Sequence, residues 1–166
     1  AMTELELDRL DSIPKDPMTY PQWTEQLRTD LRQETMTFVK YVVRNGEGTL
    51  PELLDASYTF VNANLAAYYG VTAPNVPAGE FGKVDLAGTN RMGILSQASI
   101  LATHGKPAGS SPVHRGKLVR ERLLCQPLPP PPPGIVAQPP PIDPTKSTRE
   151  RYSAHTTESL CRSCHE

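Results

Sequence analysis

The last residues of the chain have the spacing of a covalent haem site. Cys161 and Cys164 are separated by two residues, and His165 follows the second cysteine directly. Haem c attachment requires two thiols that add across the two vinyl groups of one porphyrin, and a histidine placed under the iron. The motif therefore predicts covalent haem c held by Cys161 and Cys164, with His165 as the proximal iron ligand. Protein made without haem-attachment machinery is expected to lack the haem.

Three other interpretations of this cysteine pair stay open, although we rank haem attachment first. A zinc site needs four ligands, and the remaining candidates are single residues spread along the chain. A redox-active dithiol would be expected beside a βαβ unit, which the sequence does not indicate. The pair could also be two idle thiols in a solvated tail. The further candidates for a zinc site are Cys125, His104, His114 and His155.

The second axial position of such an iron would be filled by water, another histidine or a methionine. His155 precedes Cys161 by six residues and is the nearest candidate in the sequence. Near the motif only Leu160 and Tyr152 are large and apolar, and a porphyrin needs far more apolar cover than these two provide. We therefore expect most of the haem pocket to come from residues beyond 166. The other candidate ligands are His104, His114, Met18, Met36 and Met92.

Composition narrows the classes of function. The chain has 166 residues, enough for one domain with a core, and 37% of them are hydrophobic. Its 17 basic and 18 acidic residues give a net charge of −1, so electrostatics provide no argument for nucleic acid or an anionic membrane as partner. No run of apolar residues approaches the roughly 20 that a membrane-spanning helix needs.

The elements that would position the motif are predicted to be helices. Apolar residues from Trp23 to Val42 recur at helical spacing, which predicts a helix over 22–44 that ends at Asn45-Gly46. Residues 71–90 are rich in proline and glycine and are predicted to form a loop. No strand pair with hairpin chemistry is visible. Further helices are predicted over 50–55, 58–69, 93–103 and 112–124, with a short one between Ser147 and the cysteines.

Proline dominates the segment that leads to the motif. Ten prolines lie between Pro127 and Pro144, and a polyproline II segment of that length extends roughly 56 Å. The predicted fold is mainly α, a small helical bundle with a long proline-rich extended strap leading to the C-terminal haem-attachment motif. We divide the chain into an N-terminal segment (1–20), the end of a helical domain (21–75), a second helical domain (76–126), the strap (127–145), and a short helix with the motif, truncated (146–166).

Three stretches together resemble a bacterial protein family. LLDASYTFVNANLAAYYGV at 53–71 resembles a stretch shared by planctomycete-type, cytochrome-c-associated proteins built from several domains of unknown function. The segment at 90–135, from NRMGILSQ to PPPPPGI, is similar to the next domain of that group, and CRSCHE resembles its terminal haem motif. The resemblance covers about residues 20–166. Two residues depart from the pattern: Cys125 replaces a usual glycine, and Met92 a small residue.

The resemblance implies a periplasmic or secreted bacterial protein that carries haem and contains further domains, which would be its partners. It implies no substrate or redox partner, and the sequence leaves open whether the protein is an enzyme. Family members continue past the haem motif, so we expect this chain to be a fragment. Electron transfer is the first hypothesis. The alternatives are a structural or interaction module that links domains of a larger secreted protein, and part of a haem enzyme with an open sixth position.

Overall fold

The computed structural model describes residues 5–129, 139–143, 145–153 and 157. The chain divides into two compact units, Ala1–Leu118 and Val119–Glu166. Among the described helices, none combines the length and the hydrophobicity that crossing a membrane requires.

The longest element is helix α1, Glu25–Arg44. Thr24 caps its first turn, because the threonine side chain accepts a hydrogen bond of 3.1 Å from the backbone N–H of Leu27. Leu27, Leu31 and Phe38 recur on one face and are buried. The prediction of a helix over 22–44 is confirmed, with its start at the capping threonine.

A two-stranded antiparallel sheet contradicts the predicted all-helical architecture. Strand β1, Tyr58–Val61, pairs with β2, Gly82–Asp85, so that Tyr58 lies opposite Asp85 and Val61 opposite Gly82. The prediction of a mainly α helical bundle was therefore wrong, and so was the prediction of a single helix over 58–69. Aromatic and β-branched residues fill β1, and such side chains fit a pleated, half-buried surface. The fold is mixed, with helices packed around a small sheet.

Two features of the sequence conceal this sheet. After β1, Asn62 caps a separate helix α3, Ala63–Tyr69, by accepting a hydrogen bond of 2.8 Å from the N–H of Leu65. The helical pattern in this stretch is therefore present, but the helix begins only after the strand, at Ala63 rather than at residue 58. Strand β2 lies inside the proline- and glycine-rich segment and alternates between buried and exposed residues. A helix and a long loop join the strands, so no hairpin turn marks them.

The remaining helices follow the predictions with breaks. Helix α2, Leu50–Asp55, is capped by Thr49 as expected. The predicted helix over 93–103 consists of a 3-10 turn, Ile94–Ser96, and helix α4, Ala98–Thr103, because Gln97 between them is extended. Helix α5, Pro112–Leu118, is followed by a π-helical segment, Val119–Leu123.

The core of the first unit consists of two hydrophobic clusters, and α1 contributes residues to both. One cluster joins Phe38 to Phe60 of β1 and Ile100 of α4, and a second joins Leu31 to Leu65 of α3. A 3-10 turn, Leu7–Asp11, completes both clusters with buried leucines. The N-terminal segment thus contributes to the core of this unit.

Among its described residues, the second unit contains the π-helical segment Val119–Leu123, parts of the proline-rich strap and a short helix. Residues 127–129 and 139–143 form neither helix nor strand, and the strap residues 130–138 and 144 lie outside the described residues. Helix α6, Thr148–Tyr152, begins with a capping box, in which Ser147 and Glu150 bond each other's backbone N–H groups. The predicted domain boundaries within the chain stay predictions.

Candidate functional site

The predicted haem ligands stand outside the described part of the chain. Cys161, Cys164, His165 and His155 all lie outside the described residues, so their assignment stays a prediction. Zinc, dithiol and idle-thiol interpretations of the same cysteines stay open for the same reason.

The other candidate iron ligands lie in different parts of the described structure. His104 ends α4 and is buried, with Nε2 3.4 Å from the carbonyl oxygen of Leu5, and burial lowers the pKa of its imidazole. His114 is exposed in the first turn of α5. Across the described residues, no three His, Cys, Asp or Glu side chains come together as a metal site. The candidate methionines are all exposed: Met18, Met36 and Met92.

Cys125 has an unusual backbone conformation. It is exposed and has a φ of 53°, in the left-handed region where glycine is favoured. The N–H of Gln126, the next residue, donates 2.9 Å to the carbonyl of Arg120, as in a helix ending through a left-handed residue. Glycine adopts this conformation without strain, which fits the pattern of the resembled family, where glycine is usual at the position of Cys125.

A buried acidic residue, missed by the sequence reasoning, organises the first unit. Glu34 lies on α1 with no solvent exposure. Its two oxygens accept hydrogen bonds from Thr59 of β1, at 2.7 Å, and from Tyr69 of α3, at 2.6 Å. Burial raises the pKa of Glu34 to about 7, although both hydrogen bonds and the charge of Arg91 favour the ionised form.

The hydrogen bonds continue from Glu34 in both directions. The hydroxyl of Tyr69 accepts from the N–H of Ala98 at 2.9 Å, at the start of α4. On the other side, Gln97 Nε2 donates to Thr59 at 3.3 Å, and Gln97 Oε1 accepts from Thr35 at 2.7 Å. Thr35 also lies 2.6 Å from the hydroxyl of Ser99. One buried chain of polar groups therefore connects α1, β1, α3 and α4.

A second buried carboxylate lies one turn earlier on α1. Asp30 accepts from Asn62 at 2.9 Å, from Asn64 at 2.5 Å and from Gln26 at 3.0 Å. Because Asn62 also caps α3, this carboxylate holds the start of α3 against α1. Three donors compensate for taking its charge out of water.

The buried network is suited to structure rather than to catalysis. A general base must reach a proton on a bound substrate, and Glu34 and Thr59 are almost completely covered by protein. One signal in the sequence could have revealed them. Asp30 and Glu34 fall at helical spacing among Leu27, Leu31 and Phe38, on the apolar face of α1. A carboxylate on such a face needs buried donors from other elements.

Comparisons with known families divide the chain in two. Residues 2–71 match the family model PSD4, described as a protein of unknown function (DUF1592). Residues 91–166 match PSCyt3, also described as a protein of unknown function (DUF1588). The two model names point to planctomycete, cytochrome-associated domains. No curated protein matches the chain, and no solved structure does. The chain thus combines regions similar to two domains of unknown function.

Proposed function

We propose that this chain is part of an extracytoplasmic c-type haem protein that transfers electrons. In this proposal Cys161 and Cys164 bind the haem covalently, and His165 is the proximal iron ligand. One observation supports this proposal above all: the Cys-x-x-Cys-His motif lies inside residues 91–166. That region is similar to a family whose model has a cytochrome-related name. When bound, the haem would supply one-electron chemistry at the iron.

The first unit would serve this function as a rigid support. Its buried carboxylates are bonded to donors of the same unit, and among its described residues no three metal-ligating side chains come together. The redox chemistry would then belong to the motif, while α1 and its network hold the fold. Export of the protein is part of the proposal, because the resemblance implies a periplasmic or secreted location.

The first test is whether the haem is covalent. The protein is produced with export and haem-attachment machinery and is then extracted with acid and organic solvent. Wild type should retain haem, and the double variant C161A/C164A should lose it. The matched control is Cys125→Ala, which removes the exposed cysteine outside the motif and should retain haem fully. Equal loss of haem from wild type and double variant would contradict the proposal.

A second test separates electron transfer from the alternatives. For electron transfer, protein with a complete haem pocket is expected to show a low-spin, six-coordinate absorption spectrum that is reduced and reoxidised reversibly. A high-spin haem that binds small ligands would favour an enzyme with an open sixth position. Absence of a Soret band would favour the structural module, which the satisfied polar network of the first unit also fits. The variants His165→Ala and His155→Ala should show which histidine sets the spectrum: only the first is expected to change the proximal ligand.

A further inference from the structure

A cavity on the first unit has a charge pattern that the haem proposal does not use. Its volume is about 440 Å³, within the range of small-molecule sites, and it lies between α2, the turn at 89–96, α4 and α5. Arg91 and Arg115 both line it. Among the described residues, no carboxylate lines the same cavity.

Arg91 is held in place and keeps donors available. Its Nη1 donates 2.7 Å to the carbonyl of Ser96, and its guanidinium lies 4.4 Å from the ring centre of Tyr69. Because a guanidinium has five N–H groups, these contacts leave others for a ligand. Stacking on Tyr69 and bonding to Ser96 fix the orientation of the group, which lowers the cost of binding.

Arg115 of α5 lacks the partners that Arg91 has. Its Nε is buried, and within the described structure it has no hydrogen-bond partner. No ion pair of Arg115 occurs among the described residues either. A buried guanidinium N–H without an acceptor is costly, and an anion in the adjoining cavity would satisfy it. Arg28 has a similarly buried Nε but lies outside this cavity, which makes it a useful control.

The rest of the lining includes both apolar and polar residues. Its apolar part includes Leu54 of α2, Leu95 of the 3-10 turn and Leu101 of α4. Asn90, at the rim, has a φ of 56° and adds an amide that can donate. The cavity therefore combines two cations with a hydrophobic wall.

We propose that this cavity binds a small organic anion, a carboxylate attached to an apolar body. The carboxylate would accept hydrogen bonds from Arg115 and Arg91, in the bidentate manner that suits guanidinium groups. The apolar body would lie against Leu54, Leu95 and Leu101. This site is independent of haem and would exist in protein with or without it.

Amide NMR of the full chain titrated with benzoate tests the site. Resonances of residues 89–96 and 113–116 should shift, and benzyl alcohol, the neutral analogue, should leave them unchanged. Arg115→Gln should weaken benzoate binding by about tenfold or more, as expected for one charged hydrogen bond. The matched variant Arg28→Gln should bind benzoate as wild type does.

Several results would overturn the assignment. If benzyl alcohol binds as tightly as benzoate, the charge of the ligand is not required. If inorganic phosphate binds as tightly as benzoate, the apolar wall does not contribute to binding. Unchanged binding by Arg115→Gln would exclude Arg115. If that variant does not fold, Arg115→Lys keeps the charge but loses the bidentate geometry, and it should weaken binding measurably. Wild-type affinity in that variant would contradict the proposed contact.

Discussion

The two units of this chain place their reactive residue types in opposite ways. In the first unit, carboxylates and hydroxyls far apart in sequence meet inside the core, as Glu34 does with Thr59 and Tyr69. In the second, the chemistry is concentrated in a few consecutive residues after a proline-rich strap, and local hydrogen bonds such as the Ser147 cap organise the short helix. The first arrangement stabilises a fold, whereas the second, in our proposal, presents a cofactor.

The largest loss of stability should come from a substitution at Gly93, whose backbone packs closely against the backbone of Leu54. In Gly93→Ala the new Cβ would lie 2.1 Å from the carbonyl oxygen of Leu54, at a φ of 53°. We expect a loss of about 4 kcal/mol in the free energy of unfolding, measured with urea. Gly88→Ala is the control: its φ is 81°, but no atom lies within 4 Å, so it should cost only about 1 kcal/mol. Similar losses in both variants would show that the contact with Leu54 is unimportant.

Removing the buried carboxylate should be almost as damaging. Glu34→Ala leaves the hydroxyls of Thr59 and Tyr69 without their acceptor and opens a cavity, so unfolding free energy should fall by about 3 kcal/mol. This variant and Glu34→Gln are both measured at pH 4.5, where Glu34 of the folded protein keeps its proton. Glu34→Gln keeps the shape and one acceptor, and a loss of about 1 kcal/mol is expected at that pH. Glu25→Ala, at the exposed start of α1, should cost less than either. If Glu34→Ala unfolds like wild type, the network does not hold this unit together.

Stability of the first unit should fall as pH rises. The pKa of Glu34 is about 7 in the folded protein against an ordinary value of 4.5. Between these values the folded state keeps a proton that the unfolded chain has released, so the contribution of this group declines with pH by about 3 kcal/mol and levels off above pH 7. The slope should vanish in Glu34→Gln.

The titration of His104 also makes stability depend on pH, so the pH profile of wild type must be compared with that of Glu34→Gln. Burial lowers the pKa of His104, so its own contribution to stability is lost as pH falls through its usual titration range, the opposite direction. Subtracting the variant's pH profile from that of wild type isolates Glu34. A difference that stays flat from pH 4.5 to pH 7 would contradict the raised pKa.

The smallest effect should appear in the second unit. Cys125→Gly relieves a left-handed conformation at φ 53° and should stabilise the local turn by about 1 kcal/mol. Hydrogen exchange of the Gln126 amide, which bonds the Arg120 carbonyl, should slow by about fivefold. Cys125→Ala removes the thiol but keeps the strain, so its exchange rate should match wild type. Slower exchange in the alanine variant as well would implicate the thiol instead.

Local signals explain which parts of the fold could be predicted. Helix α1 followed from its apolar spacing and its end at Asn45-Gly46, and α2 from the capping sequence that begins at Thr49; these signals lie close together in the sequence. The cap Thr24 was not recognised, so the predicted start of α1 was too early. The pairing of β1 with β2 joins residues more than 20 positions apart, and the intervening α3 gives the whole stretch a helical appearance. Tertiary pairing overrode the local pattern there, so the mainly α prediction failed.

The same distinction applies to the sites. The haem motif is visible because its three residues are neighbours, whereas the partners of Glu34 lie on two other elements, β1 and α3. Only the position of Glu34 on an apolar helix face could have drawn attention to it. The cavity with Arg91 and Arg115 depends likewise on how α4 and α5 pack within the first unit, which no spacing shows.

Peptide mass mapping tests the central claim most directly. Trypsin cleaves after Arg151 and Arg162, so it separates YSAHTTESLCR, with Cys161, from a peptide that begins SCHE, with Cys164. Protein made with haem-attachment machinery and then denatured should yield both peptides joined through one haem, and reduction should leave them joined. A pair that is joined but separates on reduction would indicate a disulfide. Recovery of both peptides free and unmodified would contradict covalent haem and with it the proposed function.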